Sequence, residues 1–322
     1  MHIKLLHYPL FLAYNSIMKI TKKKLSVLLT VIMAVCLITA CVLLIQSLLS
    51  DKHSEETLEA LRVSAEDIER SNAAAESGDT ASGTSAESND TASGSATVSG
   101  TTDKSDVDTE AAASSSESPA IVNPYKDSFL ANEDMAAWLQ IPDTNIDYPI
   151  MWTPRDENYY LYRDFEGNDN KNGCLILDTD SSLDPLTTNL IIHGHNMRSG
   201  AMFGNLTDYE NSDYYEKHKQ ITLYTEECRR NYEVIAVFRS QVYKKTDEVF
   251  KFYKFFQADT QEEFDDFYQN IKALSLYDTG VTAQFGDHFL TLSTCVYHVE
   301  QGRFVVVAKE VESGDVYLPI VE

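Results

Sequence analysis

The chain has 322 residues, and its 26 Lys and Arg against 50 Asp and Glu give a formal net charge of −24 at pH 7. A hydrophobic content of 43% excludes a wholly disordered chain, and the acidic balance argues against nucleic acid as a partner, because phosphate binding needs a basic surface. Five cysteines in a chain of this length exclude a disulfide framework, and they lack the close paired spacing of a zinc site.

An uncharged apolar segment, residues 25–49, follows a basic N-terminal region, residues 1–24. About 20 apolar residues cross a bilayer as a helix, because lipid cannot satisfy an open backbone. Basic flanks stay in the cytoplasm, so we expect a signal-anchor that places the rest of the chain outside the cell. Met18 is an alternative start, because the chain from there reads MKITKKK and then the span.

Two other targeting signals fit this segment less well. A cleaved signal peptide would have a shorter apolar run and a clear cleavage site. Residues 38–41 read ITAC and resemble a lipobox, but the apolar run continues to residue 49, which an acylated N-terminus would not need.

An acidic linker, residues 50–122, is expected next. Its 72–120 part is dominated by small and polar residues, and the pentapeptide DTASG occurs at 79–83 and 90–94. Such a composition buries too little apolar surface to offset chain entropy, which predicts a disordered spacer that lifts a domain off the membrane. At its start, 51–71 is compatible with a short helix. The apolar residues near one face of that helix would be Leu58, Leu61, Val63 and Ile68.

Residues 123–322 are long enough for one folded domain. We expect a helix over 127–139, with Phe129 and Trp138 in the core, and an amphipathic helix over 260–276. Runs rich in Val, Ile, Leu, Phe and Tyr predict the other elements, which are mostly strands, and together they suggest a β-barrel with helical additions. The predicted strands are 147–151, 173–177, 189–193, 221–225, 232–238, 288–293 and 304–309.

The last two strands carry candidate chemistry. The first reads DHFLTLSTC over 287–295 and the second RFVVVAK over 303–309, with a hairpin loop between them. Alternation along a strand puts Cys295 on one face with Ser293, and pairing opposite Arg303 would place a thiol beside a guanidinium.

Upstream, the strand IIHGHNM at 191–197 ends in two histidines, His193 and His195. A Cys and a His form a nucleophile–base pair, and a nearby cation favours the reactive thiolate. Arg303 cannot act as a base, so its fitting role is to hold an oxyanion. Spacing alone is a weak signal, because a lone strand Cys is more often a small core residue.

The local pattern is more specific. TLSTC at 291–295, an Arg eight residues later and GHNM upstream resemble the signature of the sortases. The segments 145–178 and 202–209 resemble those that class B sortases carry before and after the His strand, and the similarity covers 123–312. The resemblance implies a closed barrel of about eight strands, an N-terminal helical extension and a helix before the Cys strand. It also implies a membrane-anchored extracytoplasmic enzyme of a Gram-positive bacterium.

Residue by residue, Cys295 matches the nucleophile and Arg303 the essential arginine. His195, which follows a Gly, is preferred over His193 as the family's histidine. Ser293 and Thr294 are candidates for lining the acyl site. Val296 stands where some class B members carry an acid, so a role for that acid is in doubt here.

The implied reaction cleaves an x-Pro-x-Thr-type sorting signal of a secreted protein through a thioester, which an amino group of a peptidoglycan precursor resolves. No metal or cofactor is implied. The resemblance leaves housekeeping anchoring and pilin polymerisation both open. An L,D-transpeptidase fits less well, because Thr294 replaces the expected Gly and the Arg is too distant. A non-enzymatic surface protein would make the His–Cys–Arg set a coincidence.

The remaining cysteines and histidines have simpler interpretations. Cys174 is expected to be a buried structural residue and Cys228 to lie in a turn. His288 and His298 are expected to be loop residues that flank the Cys strand. The Tyr cluster YYLY at 159–162 is expected to pack, although a tyrosine that lines a substrate groove is an alternative.

Overall fold

Eight strands close into a barrel in the computed structural model, which describes residues 8–78, 121–297 and 299–320. The strands are β1 (Met135–Gln140), β2 (Asp147–Met151), β3 (Leu175–Leu177), β4 (Asn189–Gly194), β5 (Gln220–Thr225), β6 (Cys228–Gln241), β7 (Phe289–Cys295) and β8 (Gly302–Val316). Their order around the barrel is β1-β2-β3-β4-β7-β8-β6-β5, and β5 closes on β1. The β2–β3 and β4–β7 pairs are parallel and the others antiparallel. The predicted barrel with helical additions is confirmed.

The predicted helix over 127–139 is present only up to residue 131, and its second half was wrong. The helix α2 covers only Lys126–Ala131, and β1 follows it. Trp138 stacks on Tyr125, with ring centroids 4.4 Å apart, while its neighbour Leu139 is also fully buried. Because β1 is buried on both faces, its sequence MAAWLQ shows no alternation, and pairing with β2 and β5 overrides its helical propensity.

Four α-helices and three short 3₁₀ turns complete the described part of the chain. The α-helices are α1 (Tyr8–Gly78), α2, α3 (Ser212–Lys217) and α4 (Gln261–Leu274), and the turns are Tyr159–Tyr162, Leu206–Glu210 and Phe252–Lys254. The predicted helix over 260–276 is α4. It begins with a capping box, in which Thr260 accepts from the backbone of Glu263 and the Glu263 side chain accepts from the backbone of Thr260.

The hydrophobic core has two layers separated by the barrel wall. Leu290 and Leu292 of β7 point into the barrel, whereas Phe289 points out and lies 5.3 Å, ring to ring, from both Phe264 and Phe267 of α4. The strand period of two then carries the outward face along β7 to Cys295. One end of this outer face is therefore covered by α4, and the other end is left for the candidate site.

The helix α1 is longer than the expected helix at 51–71, and it corrects the start of the expected linker. Residues 50–78 are helical, and Leu58 and Ala65, each 4% exposed, pack into the main core. Val63 faces outward, at 48% exposed. Asn72 exchanges hydrogen bonds with the backbone of Val122, at 2.8 and 3.3 Å. The rest of the expected linker, including both DTASG pentapeptides, lies outside the described residues.

Among the described residues, one helix is long and apolar enough to cross a membrane. It is the Lys24–Ala75 part of α1, whose most apolar stretch has a mean hydropathy of 3.0 and is not buried in the fold. This stretch coincides with the expected span at 25–49.

Candidate active site

The β7–β8 hairpin places a cysteine directly opposite an arginine. Cys295 is the last residue of β7 and pairs with Arg303, the second residue of β8. Directly opposed residues of an antiparallel pair project to the same side of the sheet. Both side chains are partly exposed, and the Arg303 Nη1 donates to the carbonyls of Gln301 and Gly302, at 3.3 and 3.1 Å. The expected Cys–Arg pairing is therefore present.

Parallel pairing of β4 with β7 brings His195 to the same edge. Gly194 is in register with Thr294. The residues that follow them along the two parallel strands are His195 and Cys295, which therefore lie at the same end of the sheet. The Thr294 hydroxyl donates to the Gly194 carbonyl at 2.7 Å. The Asn196 amide donates to the Cys295 carbonyl at 2.9 Å. These two bonds tie the ends of β4 and β7 together on either side of the candidate pair.

A turn of the chain holds the His195 ring from the other side. The Nε2 of His195 lies 2.9 Å from the carbonyl oxygen of Leu161. A carbonyl can only accept, so Nε2 of His195 carries a hydrogen, which leaves Nδ1 as the nitrogen that can exchange a proton. The ring of Tyr162, a residue 60% exposed, lies 5.3 Å from the imidazole. Sequence reasoning favoured packing for the YYLY turn, and the structure places its last tyrosine at the site.

His193 lies on the same side of β4 and has a different partner. Its Nε2 is 3.0 Å from Oδ2 of Asp178. Burial alone would raise the pKa of Asp178, but the hydrogen bond from His193 and that from the backbone of Asp180 outweigh it, so the pKa is below its usual value. The structure therefore brings both histidines to the site and gives each a separate acceptor. The Asp178 partner was not anticipated from the sequence.

These groups line one open groove of about 450 Å³. Its lining comes from the β3, β4, β7 and β8 strand ends and from the 157–162 segment. It includes Glu157, Asn158, Leu161, Tyr162, Asp178, Thr179, His193, His195, Ser293, Cys295 and Arg303. The Ser293 side chain is 1% exposed, and its Oγ has no hydrogen-bond partner within the described part of the chain. The Thr294 hydroxyl is already bonded to Gly194. Both residues expected to line an acyl site are buried, and Ser293 is the one whose hydroxyl has no partner among the described residues.

The other cysteines lie apart from this arrangement or are buried. Burial raises the pKa of the Cys174 thiol, which sits 3.4 Å from the carbonyl of Arg163 at the groove wall. Cys228 opens β6 directly after the turn that follows β5. His288 contacts the Thr187 carbonyl, at 3.2 Å from its Nδ1. His298 lies outside the described residues.

Comparison with known proteins identifies the family. The family model for the sortase domain matches residues 139–311. Sortase B of Listeria monocytogenes is 34% identical over 209 residues, which is 64% of this chain and 82% of that protein. The solved structure of Clostridium perfringens sortase B has a TM-score of 0.52 and 27% identity, and the match covers 58% of this chain and 99% of that one. The Staphylococcus aureus sortase B–substrate complex has a TM-score of 0.53 and 27% identity, and the match covers 59% and 86%. The chain therefore belongs to the sortase family of cysteine transpeptidases, and within that family to class B.

Proposed function

We propose that this sortase is anchored in the membrane and joins secreted proteins to the cell wall. It would cleave an x-Pro-x-Thr-type sorting signal near the C-terminus of its substrate and transfer the acyl part to an amino group of a peptidoglycan precursor. The observation that carries the proposal is the convergence of Cys295, Arg303 and His195 at one end of a single groove.

In the acylation step, the Cys295 thiolate attacks the carbonyl carbon of the scissile peptide bond. The oxygen of that carbonyl becomes an oxyanion, and Arg303, which pairs with Cys295 in the hairpin, would donate hydrogen bonds to it. The C–N bond then breaks, and the leaving amine takes a proton from His195. With its Nε2–H held by the Leu161 carbonyl, the imidazolium keeps its Nδ1–H available for this transfer. The product is a thioester on Cys295.

In the second step, the acceptor amine attacks the thioester carbonyl. The neutral imidazole of His195 takes the proton from the attacking nitrogen, and the collapse of the second oxyanion returns the thiolate. Ser293, next but one to Cys295 on the same face, lines the groove and would contact the acyl part of the signal. Thr294 supports the site through its bond to Gly194.

The experiment uses a soluble fragment, residues 50–322, that lacks the apolar segment but keeps the part of α1 that packs on the barrel. Quenched fluorescent peptides with several x-Pro-x-Thr-x signals are incubated with this fragment and with its Cys295→Ala variant. Intact-mass spectrometry then measures the acyl adduct. We expect cleavage of one peptide and an adduct on the native fragment only. Cleavage by the Cys295→Ala variant at the native rate would contradict the proposed nucleophile.

The proposed topology has residues 1–24 in the cytoplasm, 25–49 in the bilayer and the catalytic domain, 123–322, outside the cell. The support is the apolar, outwardly exposed part of α1 and the lysines that precede it. Protease added to intact cells should digest the catalytic domain and spare an N-terminal tag. A tag that is digested together with the domain would contradict this orientation.

A further inference from the structure

The helix α1 joins the apolar segment to the barrel without an interruption. From Lys24 to Ser77 it contains no Pro and no Gly, the residues at which helices bend sharply. Its side chains are exposed all round from Lys24 to Gln46, and from Ser47 to Asn72 one face is covered. The covered face, here called the docking stripe, has the three-to-four-residue spacing of one helix side. The docking stripe consists of Ser47, Ser50, Ser54, Leu58, Leu61, Arg62, Ala65, Ile68 and Asn72.

At the end near the apolar segment, the docking stripe contacts the 166–171 loop. The Ser50 Oγ donates to the Asp169 carbonyl at 2.8 Å, and the Lys171 ammonium lies 3.2 Å from the Ser47 hydroxyl. One turn further along α1, the His53 Nε2 is 2.7 Å from the Glu166 carboxylate. The 166–171 loop is therefore level with the first helical turns after the apolar segment.

At the other end, the docking stripe reaches the opposite side of the barrel. Arg62 donates to the Asp147 carbonyl at 2.8 Å midway along, and Asn72 bonds Val122 at the far end. Asn123 next to it donates to the Glu226 carbonyl at 2.9 Å. At 1.5 Å per residue, about 33 Å of helix separates the Ser50 level from the Asn72 level.

The groove lies at the near end. Tyr162 forms a recess with Gln46, Ser47 and Lys171, and the same Tyr162 ring lies 5.3 Å from His195. The backbone of Asn170 also donates to the Tyr162 carbonyl at 2.9 Å. Tyr162 therefore lies between the last apolar turns of α1 and the imidazole of His195.

From this geometry we infer that the surface formed by the 166–171 loop and Tyr162 rests against lipid headgroups, so that the groove opens at the lipid–water boundary. The inference rests on the proposed membrane span. The uninterrupted helix sets the height of the groove, and the docking stripe sets the direction in which the groove opens. A polypeptide held at the membrane surface would then reach Cys295 without leaving that surface.

The test measures depth and does not require a known substrate, so it is independent of the sorting signal. The full chain is placed in nanodiscs of zwitterionic lipid, and a fluorescent amino acid replaces Asn168 in one variant and Glu226 in another; both positions are exposed. A nitroxide quencher is attached to the lipid headgroups. We expect strong quenching at position 168 and little at position 226. Equal quenching at the two positions would overturn the inference.

A matched pair of helix variants tests the docking stripe. Leu58→Glu puts a charge into the contact with the barrel, whereas Val63→Glu makes the same kind of change on the outward face of the same helix. Leu58→Glu should abolish the difference in quenching between positions 168 and 226, and Val63→Glu should preserve it. A difference that survives Leu58→Glu would show that the stripe does not hold the barrel. If Leu58→Glu does not fold, the comparison of the two positions in the native chain and in Val63→Glu still decides the inference.

Discussion

The hydroxyl of Thr294 donates to the carbonyl of Gly194 over 2.7 Å, and this one bond joins the residue before Cys295 to the residue before His195. The two residues belong to strands that are distant in sequence and parallel in space. Because the bond lies at the end of both strands, it fixes the separation of the groups that follow it.

Thr294→Val should therefore cost more in activity than in stability. The substitution keeps the shape and removes the hydroxyl, so a partly buried carbonyl loses its donor at a cost of about 1–2 kcal/mol in the free energy of unfolding. Urea denaturation measures that loss, and the rate of thioester formation measures the site. Thr294→Ser keeps the donor and serves as the control. An acylation rate in Thr294→Val equal to that of Thr294→Ser would contradict a positioning role.

Arg303→Lys should lower kcat/KM by about two to three orders of magnitude, the usual cost of losing one oxyanion donor. A lysine keeps the charge but not the fixed fork of donors that a guanidinium offers, so the loss should be mainly in kcat. Peptide cleavage kinetics provide the measurement. Arg70→Lys, on the exposed side of α1, is the matched control and should leave both constants unchanged. A loss confined to KM would assign Arg303 to binding of the signal alone.

Substitution of the two histidines should separate their roles. His195→Gln removes the proton donor of the proposed mechanism and should slow acylation by about 10²–10⁴-fold. His193→Gln keeps a donor toward Asp178, so its effect on acylation should be much smaller. Single-turnover acylation, followed by mass spectrometry, makes the comparison. The reverse order of effects would assign the acid to His193.

Asp178→Asn should change how stability depends on pH. The folded-state pKa of Asp178 is lowered, so its ionised form stabilises the fold above the unfolded pKa of about 3.9, and that contribution is lost as the pH falls through the lower folded value. The difference in the free energy of unfolding between the native fragment and Asp178→Asn should be roughly 1–2 kcal/mol near neutral pH and should shrink at about pH 3. Asp180→Asn, at an exposed neighbour, is the control. A difference that does not vary with pH would contradict the assignment.

The alternation of side chains along the sequence predicted the strands that border the candidate site, but it did not predict β1 at the start of the domain. The alternation in FLTLSTC defined both the Cys295 face and its pairing with Arg303, because one side of β7 packs inside the barrel and the other outside. The same rule failed for β1, where both faces are covered and Trp138 and Leu139 are equally buried. Burial on both faces removes the periodicity on which such predictions depend.

Contacts between distant segments could not be predicted in this way. Leu161 and Tyr162 meet His195 only because the 159–162 turn folds over the end of β4, and Asp178 meets His193 only through the β3–β4 pairing. The composition of the 50–72 region also misled, because most of its charges lie on the outward side of a helix whose other side is covered by the barrel. Helix periodicity around Leu58 was the available signal, and the acidic content obscured it.

The hydrogen bonds between Asn72 and Val122 have a consequence for the acidic Ser/Thr-rich segment between these residues. Because these bonds hold Asn72 and Val122 together, the length of that segment would not set the distance between the candidate active site and the bilayer in the proposed anchored protein. Residues can be gained or lost there over evolution while the active site stays where it stands. In the proposed anchored protein that height is set instead by the helical residues that precede the first barrel contacts at Ser47 and Ser50, where each added residue would raise the barrel by about 1.5 Å and turn it by about 100°.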